Sequence, residues 1–298
     1  ALPDTIGMEL DVVPVSVMNR FRKGLGGCNI SDATPMIRKV RAVKSDYELG
    51  ILKDAALIVD KVCKRVPEIL REGMTDLELT AELEFVARKE GHQGLVRMRG
   101  FNNELFYGHA FSGADSAVPT YSDTPLGGVG LNPSFPQGAS YKSVHKNEPV
   151  TVDFSGVFDG YIVDQTRMFS IGELPEKLSK AYVDMVLILN HAKKIAKPGA
   201  TWGGVYDECL QMACDMGYQD HFMGSKGSQV SFIGHGVGVE LDEYPFIARG
   251  FNDYELEENM VFAFEPKVVY PGLGAVGVED TFWVGPEGLK HLTFANHE

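Results

Sequence analysis

The stretch TVDFSGVFDGYIVDQTRMFSIG, Thr151 to Gly172, decides how this chain folds. Apolar Val150, Val152 and Phe154 alternate with Thr151, Asp153 and Ser155, which is the period of a half-buried strand. Asp159-Gly160 supplies a turn, so the segment reads as a β-hairpin. A four-residue loop over 157–160 makes paired positions sum to 317 and sets Asp153 directly opposite Asp164. Directly opposed side chains have Cβ atoms roughly 4.5–5.5 Å apart, and like charges there are destabilising. The hairpin therefore requires a positive partner.

Outward from it, two helices are expected. One starts at Ser45 and runs through Leu52, Ala55, Val59 and Val66; the other follows Thr75, with Glu78 closing a capping box, and stops at Gly91. Shifting the sequence by 126 positions lays Gly73, Thr75 and Gly91 on Gly199, Thr201 and Gly217, Leu52 and Ala55 on Leu178 and Ala181, and His109 on His235. Agreement of helix ends, turn glycines and a histidine at one offset predicts a duplicated unit of two helices, a Gly-His strand and a hairpin. The second hairpin is NMVFAFEPKVVYPGLGAVGVEDT, Asn259 to Thr281, where a loop centred on Gly272 sets Glu265 opposite Glu279. Residues 1–43 are mixed, with a strand-like run over Val12 to Met18 broken by Pro14, and their apolar surface is too small to stand alone.

The composition narrows the partners. The chain has 298 residues, 28 Lys plus Arg against 41 Asp plus Glu, and a formal charge of −13. Without a basic run, neither nucleic acid nor an anionic membrane is an expected partner. Four scattered cysteines, including the C-x4-C at Cys209 and Cys214 inside a helical pattern, read as packed thiols of a cytoplasmic protein. No apolar run approaches a membrane span. The first residue is alanine, which is expected of a trimmed or processed chain.

Four carboxylates from matching places of a repeat, facing one cleft, repel unless protonated or bridged by cations. Divalent metal is the economical solution. His235, flanked by Gly234, Gly236 and Gly238 that let backbone and ligand approach, adds the imidazole that favours Mn, Fe, Co or Zn. Five ligands with shared carboxylates suit two ions about 3.5–4 Å apart.

The ordered set Asp153, Asp164, His235, Glu265 and Glu279, in DGYIVDQTRMF, GHGVG, VFAFEP and GVEDT, resembles the pita-bread metallopeptidases, which include methionine aminopeptidase, aminopeptidase P and prolidase. The resemblance covers residues 44–298. It implies an α+β pita-bread fold: a curved antiparallel sheet covered by helices, with an internal pseudo-two-fold repeat. Residues 1–43 resemble the end of the N-terminal domain and linker of the prolidase, aminopeptidase P and creatinase branch, which is typically dimeric.

The resemblance further implies an Xaa-Pro dipeptidase or aminopeptidase using two divalent ions (Mn, Co, Fe or Zn) and a bridging hydroxide. Asp153 would chelate one ion, Asp164 and Glu279 would bridge both, and His235 with Glu265 would complete the other, Glu265 acting also as the proton shuttle. The chain departs from the pattern at three places. Thr120 ends SGADSAVPT where these peptidases usually carry histidine, Asp242 stands at a second histidine position, and Gly277 replaces an arginine. His109, Thr120 and Asp242 are the candidate substrate contacts, Asp242 as a site for a free amino terminus. Tyr161 and Arg167 are expected to brace the hairpin, and Gly127 to Ser140 to form a loop at the cleft mouth. Two other readings stand beside this one: hydrolysis of a small non-peptide C–N substrate, as in relatives resembling creatinase or ectoine hydrolase, and a silent binding protein of the same fold.

Overall fold

In a computed structural model, which describes residues 3–100, 103 and 105–297, two helix pairs cover antiparallel sheets. The elements run β1 (Thr5–Met8), α1 (Val15–Gly24), β2 (Asn29–Asp32), α2 (Thr34–Ala42), α3 (Asp46–Ile69), α4 (Asp76–Lys89), β3 (Gly108–Ser112), β4 (Val150–Phe158) and β5 (Tyr161–Phe169). They continue as α5 (Glu176–Ile195), α6 (Trp202–Asp215), β6 (Phe232–Val237), β7 (Leu241–Ala248), β8 (Val261–Phe264), β9 (Lys267–Tyr270), β10 (Gly274–Gly277), β11 (Asp280–Gly285) and β12 (Gly288–His291). β3-β4-β5 form one sheet, β12-β11-β8-β6-β7 a second, and β9-β10 a two-stranded ribbon.

The two halves repeat as expected. Helices α4 and α6 both start and end 126 positions apart. Thr75 caps α4 in a reciprocal box with Glu78, and Thr201 caps α6 by accepting from the Gly204 N–H at 3.1 Å. The preceding Gly73 and Gly199 both have φ +86°, a left-handed conformation that glycine adopts without a Cβ penalty. Each helix pair closes its own core: Leu52, Val59, Leu79, Leu83 and Phe154 in the first half, Leu178, Ile188, Leu189, Phe262 and Phe282 in the second. The repeat lapses after the Gly-His strands. The first half runs a long loop from β3 to β4, whereas the second inserts β7.

Two expectations are corrected. Val12 to Met18 is not a strand: Pro14 is the N-cap residue of α1, and its ring presets the backbone (φ −57°) for the helix that begins at Val15. The first hairpin turns on two residues, Asp159 and Gly160 (φ +43° and +84°), with Phe158 paired to Tyr161. Both turn residues having positive φ marks a tight turn that suits the strand twist. Asp153 therefore faces Thr166, and Asp164 faces Ser155. A shift of two preserves the face, because side chains alternate with period two, so the aspartates remain on the same side as diagonal neighbours. The second hairpin keeps the expected register, Lys267 pairing with Gly277 and Val269 with Ala275 around a three-residue turn over 271–273.

The early segment is tied down by charge. Lys44, 2 % exposed, meets Glu243 at 2.7 Å, Arg41 reaches Glu240 and Glu243 at 2.9 Å each, and Arg99 holds Asp11 at 2.6 Å. Among the described residues no helix is long and apolar enough to cross a membrane.

Candidate metal centre

The two halves meet where β5 touches the chain between β10 and β11: Thr166 and Glu279 exchange backbone hydrogen bonds of 3.3 and 3.2 Å. That single bridge sets the carboxylates of both hairpins side by side. Asp153 from β4, Asp164 from β5, His235 from β6, and Glu265 and Glu279 at the ends of the second ribbon all line one cavity of about 310 Å³. Their backbone seats are fixed by neighbours. Asp164 exchanges two hydrogen bonds with the Thr281 hydroxyl, at 2.9 and 2.8 Å, and Glu265 N–H donates to the Ile233 carbonyl at 2.8 Å.

Arg167 braces this seam from behind. Buried at 2 % exposure, it ion-pairs with Asp280 at 2.5 Å and donates to the carbonyls of Glu279 (2.7 Å) and Ala295 (2.7 Å). Tyr161 bonds Glu48 on α3 at 2.9 Å, so both residues hold the hairpin in place as expected. The glycines beside His235 serve backbone rather than ligand. A Cβ at Gly236 would meet the Glu243 carbonyl at 2.3 Å, and one at Gly234 the Ala263 carbonyl at 2.6 Å, so they make room for β7 and β8.

Within the cavity the charges are unequal. The His235 Nε2 atom lies 3.7 Å from both Glu265 and Glu279, and Nδ1 lies 3.4 Å from Asp242. Burial works against its charge, but those three carboxylates raise the imidazole to about 10. Burial, reinforced by Glu279 and Asp153, pushes Asp164 well above the usual carboxylate range. Burial likewise lifts Asp153 to about 6 and Glu265 to about 8 against the pull of Lys267, while Lys267 and His235 overcome burial at Glu279 and hold it at about 2.

Lys267 itself is the residue the sequence reading passed over. Its side chain is 1 % exposed, and its Nζ donates to Glu265 and to Glu279 (2.9 Å) and lies 3.6 Å from Asp153. Burial alone would discharge it, yet the three acids push its pKa well above the ordinary lysine value. The signal was present: in a strand, residues two apart share a face, and Lys267 follows Glu265 by two.

Asp164, His235 and Glu279 bring ligand atoms within 4.8 Å of one another. Glu279 Oε1 is buried without a hydrogen-bond partner. A carboxylate pair plus imidazole, with an unsatisfied oxygen turned inward, fits a divalent first-row cation.

Of the candidate substrate contacts, His109 and Asp242 line the cavity. Burial, helped by the Lys267 charge, drops His109 to about 3, so it is a neutral imidazole, packed edge-on against Phe106. Asp242 sits in the left-handed region (φ +63°), its carbonyl accepting from Arg38 at 3.2 Å. Thr120 is placed elsewhere: it lines a neighbouring cavity, and its hydroxyl donates to the Pro136 carbonyl at 3.1 Å. Gln137, from the Gly/Pro-rich loop, lines the main cavity.

The family described as Metallopeptidase family M24 matches residues 50–286, and the Creatinase/Prolidase N-terminal domain matches residues 1–43. The chain is similar to the Xaa-Pro dipeptidase of Pyrococcus furiosus, 28 % identical over 99 % of this chain and 75 % of that protein. Among solved structures it resembles the X-Pro aminopeptidase from Thermotoga maritima, with TM-score 0.83 and 27 % identity over 99 % of this chain and 73 % of that one. It also resembles the prolidase from Pyrococcus horikoshii, with TM-score 0.82 and 26 % identity over 99 % and 75 %.

Proposed function

Because this chain belongs to metallopeptidase family M24 and has its pita-bread fold, we propose that it hydrolyses a C–N bond at the amino end of a peptide, as an aminopeptidase or Xaa-Pro dipeptidase. The observation that carries this reading is the convergence of four carboxylates and one imidazole on a single cavity, with Glu279 Oε1 buried without a hydrogen-bond partner. Asp164, His235 and Glu279 would hold a divalent ion, Mn, Co, Fe or Zn, with Asp153 and Glu265 beside it; two ions are what the ligand set of the resemblance implies. When bound, such an ion supplies Lewis-acid polarisation and makes water acidic enough to attack near neutral pH.

The protein's own groups do the rest. Glu265 turns its Oε1 toward His235 at 3.7 Å while Lys267 engages its Oε2, and a bound cation beside it would favour its ionised form. The Oε1 atom takes the proton of the attacking water and returns it to the leaving nitrogen. Asp242 receives the substrate's amino group, and neutral His109 hydrogen-bonds its carbonyl region. Among the described residues, the lining of the cavity adds Asp123 to Asp242 and includes no lysine or arginine to receive a carboxylate close to the scissile bond. Of the two forms this favours the aminopeptidase, acting on longer peptides, or a small cationic amide, over the dipeptidase, whose substrate carboxylate would lie beside these acids. A homodimeric, cytoplasmic enzyme completes the reading.

Metal analysis together with a substrate panel tests it. The protein should carry bound divalent metal, and Asp164→Ala should lose both metal and turnover. Xaa-Pro dipeptides, longer Xaa-Pro peptides and small cationic amides should be cleaved unequally, the dipeptides least. Full metal loading with no cleavage of any peptide would move the assignment to the small amides.

A further inference from the structure

The second cation expected from the ligand set has a competitor within the protein. Lys267 opens β9 two residues after Glu265, and Gly277 opposite it on β10 comes two residues before Glu279. Period-two alternation therefore puts the lysine on the same face as both glutamates. Its ammonium donates to Glu265 Oε2 and to Glu279 Oε2 (2.9 Å) and stands 3.6 Å from Asp153 Oδ2. Three carboxylates around one buried ammonium is an arrangement these acids would otherwise need a metal ion to make tolerable.

The opposite side of the cluster differs. Glu279 turns its other oxygen, Oε1, toward His235, and this oxygen has no hydrogen-bond partner. Asp164, His235 and Glu279 gather their ligand atoms within 4.8 Å. Glu279 thus divides the centre, with Oε2 serving the ammonium and Oε1 serving the side that gathers Asp164 and His235.

The hairpin leaves room for the lysine. A Cβ at Gly277 would meet both Lys267 Cγ and the Pro266 carbonyl at 2.5 Å, so the glycine accommodates the stem that carries the ammonium together with the adjoining backbone. An ammonium and a second divalent ion would compete for the same three oxygens and repel each other at hydrogen-bonding range.

We propose that Lys267 takes the place of one ion and that the centre binds a single divalent cation, through Asp164, His235 and Glu279. This rests on the metal-dependent reading above. The lysine supplies one positive charge and fixes Glu265 and Glu279, so the single ion is left to interact with substrate and water.

Metal stoichiometry decides the matter without reference to activity. The purified full chain is dialysed against excess Mn²⁺, its metal is counted by plasma mass spectrometry, and anomalous diffraction locates the ion. One Mn²⁺ per chain, beside Asp164, His235 and Glu279, is expected, rising to two in Lys267→Gly. Lys267→Met, which keeps the stem and removes the charge, should weaken the hold on Glu265 and Glu279 without unfolding the hairpin. Two ions in the unaltered protein, with the lysine turned away from Asp153, would overturn the inference and leave the hydrolase reading intact. No bound ion at all would overturn both. Should the variants fail to fold, the count in the unaltered chain still decides.

Discussion

His109 and His235 hold equivalent places in the two halves, each following a glycine on the strand after a helix pair, yet they carry opposite electrostatics. His109, on β3, packs against Phe106 and Phe111, has the Lys267 charge nearby, and drops to about 3. His235, on β6, faces Asp242, Glu265 and Glu279 and rises to about 10 in the absence of metal. The fold repeats the histidine, and the neighbours decide what it does. The hairpins show the same divergence: the first presents its aspartates diagonally around a two-residue turn, the second carries its glutamates just beyond a ribbon paired around a three-residue turn. Only the second adds a lysine between them.

The largest effect is expected at Glu265. Glu265→Gln should keep its bound metal while turnover falls about 10²–10⁴-fold, read by metal content and steady-state rates on one preparation. Retained turnover in that variant would take the proton shuttle away from the second half of the molecule. His109→Gln tests its counterpart. It should leave metal content unchanged and raise KM by about tenfold, worth roughly 1.4 kcal/mol, as expected for one lost hydrogen bond to substrate. Loss of metal on that substitution would erase the distinction drawn between the two histidines.

A pH comparison sharpens the contrast between the helix pairs. His92 and Tyr218 occupy equivalent positions just after Gly91 and Gly217, and their N–H groups donate to Ala87 and Ala213 in the same way. Burial drops His92 to about 4. A histidine whose folded pKa is depressed contributes stability above its unfolded value near 6.5, and this is lost as pH falls toward 4. At most about 3 kcal/mol is involved. Denaturant unfolding between pH 7 and pH 4 should show that slope, and His92→Gln should flatten it, whereas Tyr218→Phe should leave it as it was.

The smallest effect concerns the caps. Thr75→Ala breaks a reciprocal box and Thr201→Ala a single bond, so the first should cost about 1 kcal/mol and the second less, by thermal or denaturant unfolding. Equal losses would mean that Glu78 adds nothing to the first half.

Much of this was legible in the residues because helix ends and strands have local signatures. Thr75 with Glu78, and the left-handed glycines at 73, 91, 199 and 217, mark their elements unaided. The second hairpin was read correctly because Pro271-Gly272 centres its turn, while the first slipped by two because DG can close loops of several lengths. The slip did not disturb the site, since a shift of two keeps the face. The start of α1 was missed because Val12 to Met18 alternates too briefly to tell a strand from the approach to a helix. Thr120 lay outside the main cavity for a reason no motif records: a loop carries it, and its hydroxyl is held by the carbonyl of another loop residue, Pro136. Lys267 was legible only as a strand lysine two residues from Glu265, because its third carboxylate, Asp153, comes from the other half of the chain and is brought beside it by the fold.

The 2.5 Å approach that a side chain at Gly277 would make to Lys267 has an evolutionary consequence. The constraint runs one way: bulk at 277 would have to displace the Pro266 carbonyl as well as the lysine stem, so a lineage that keeps the lysine here keeps the glycine too, whereas the lysine is free to go first.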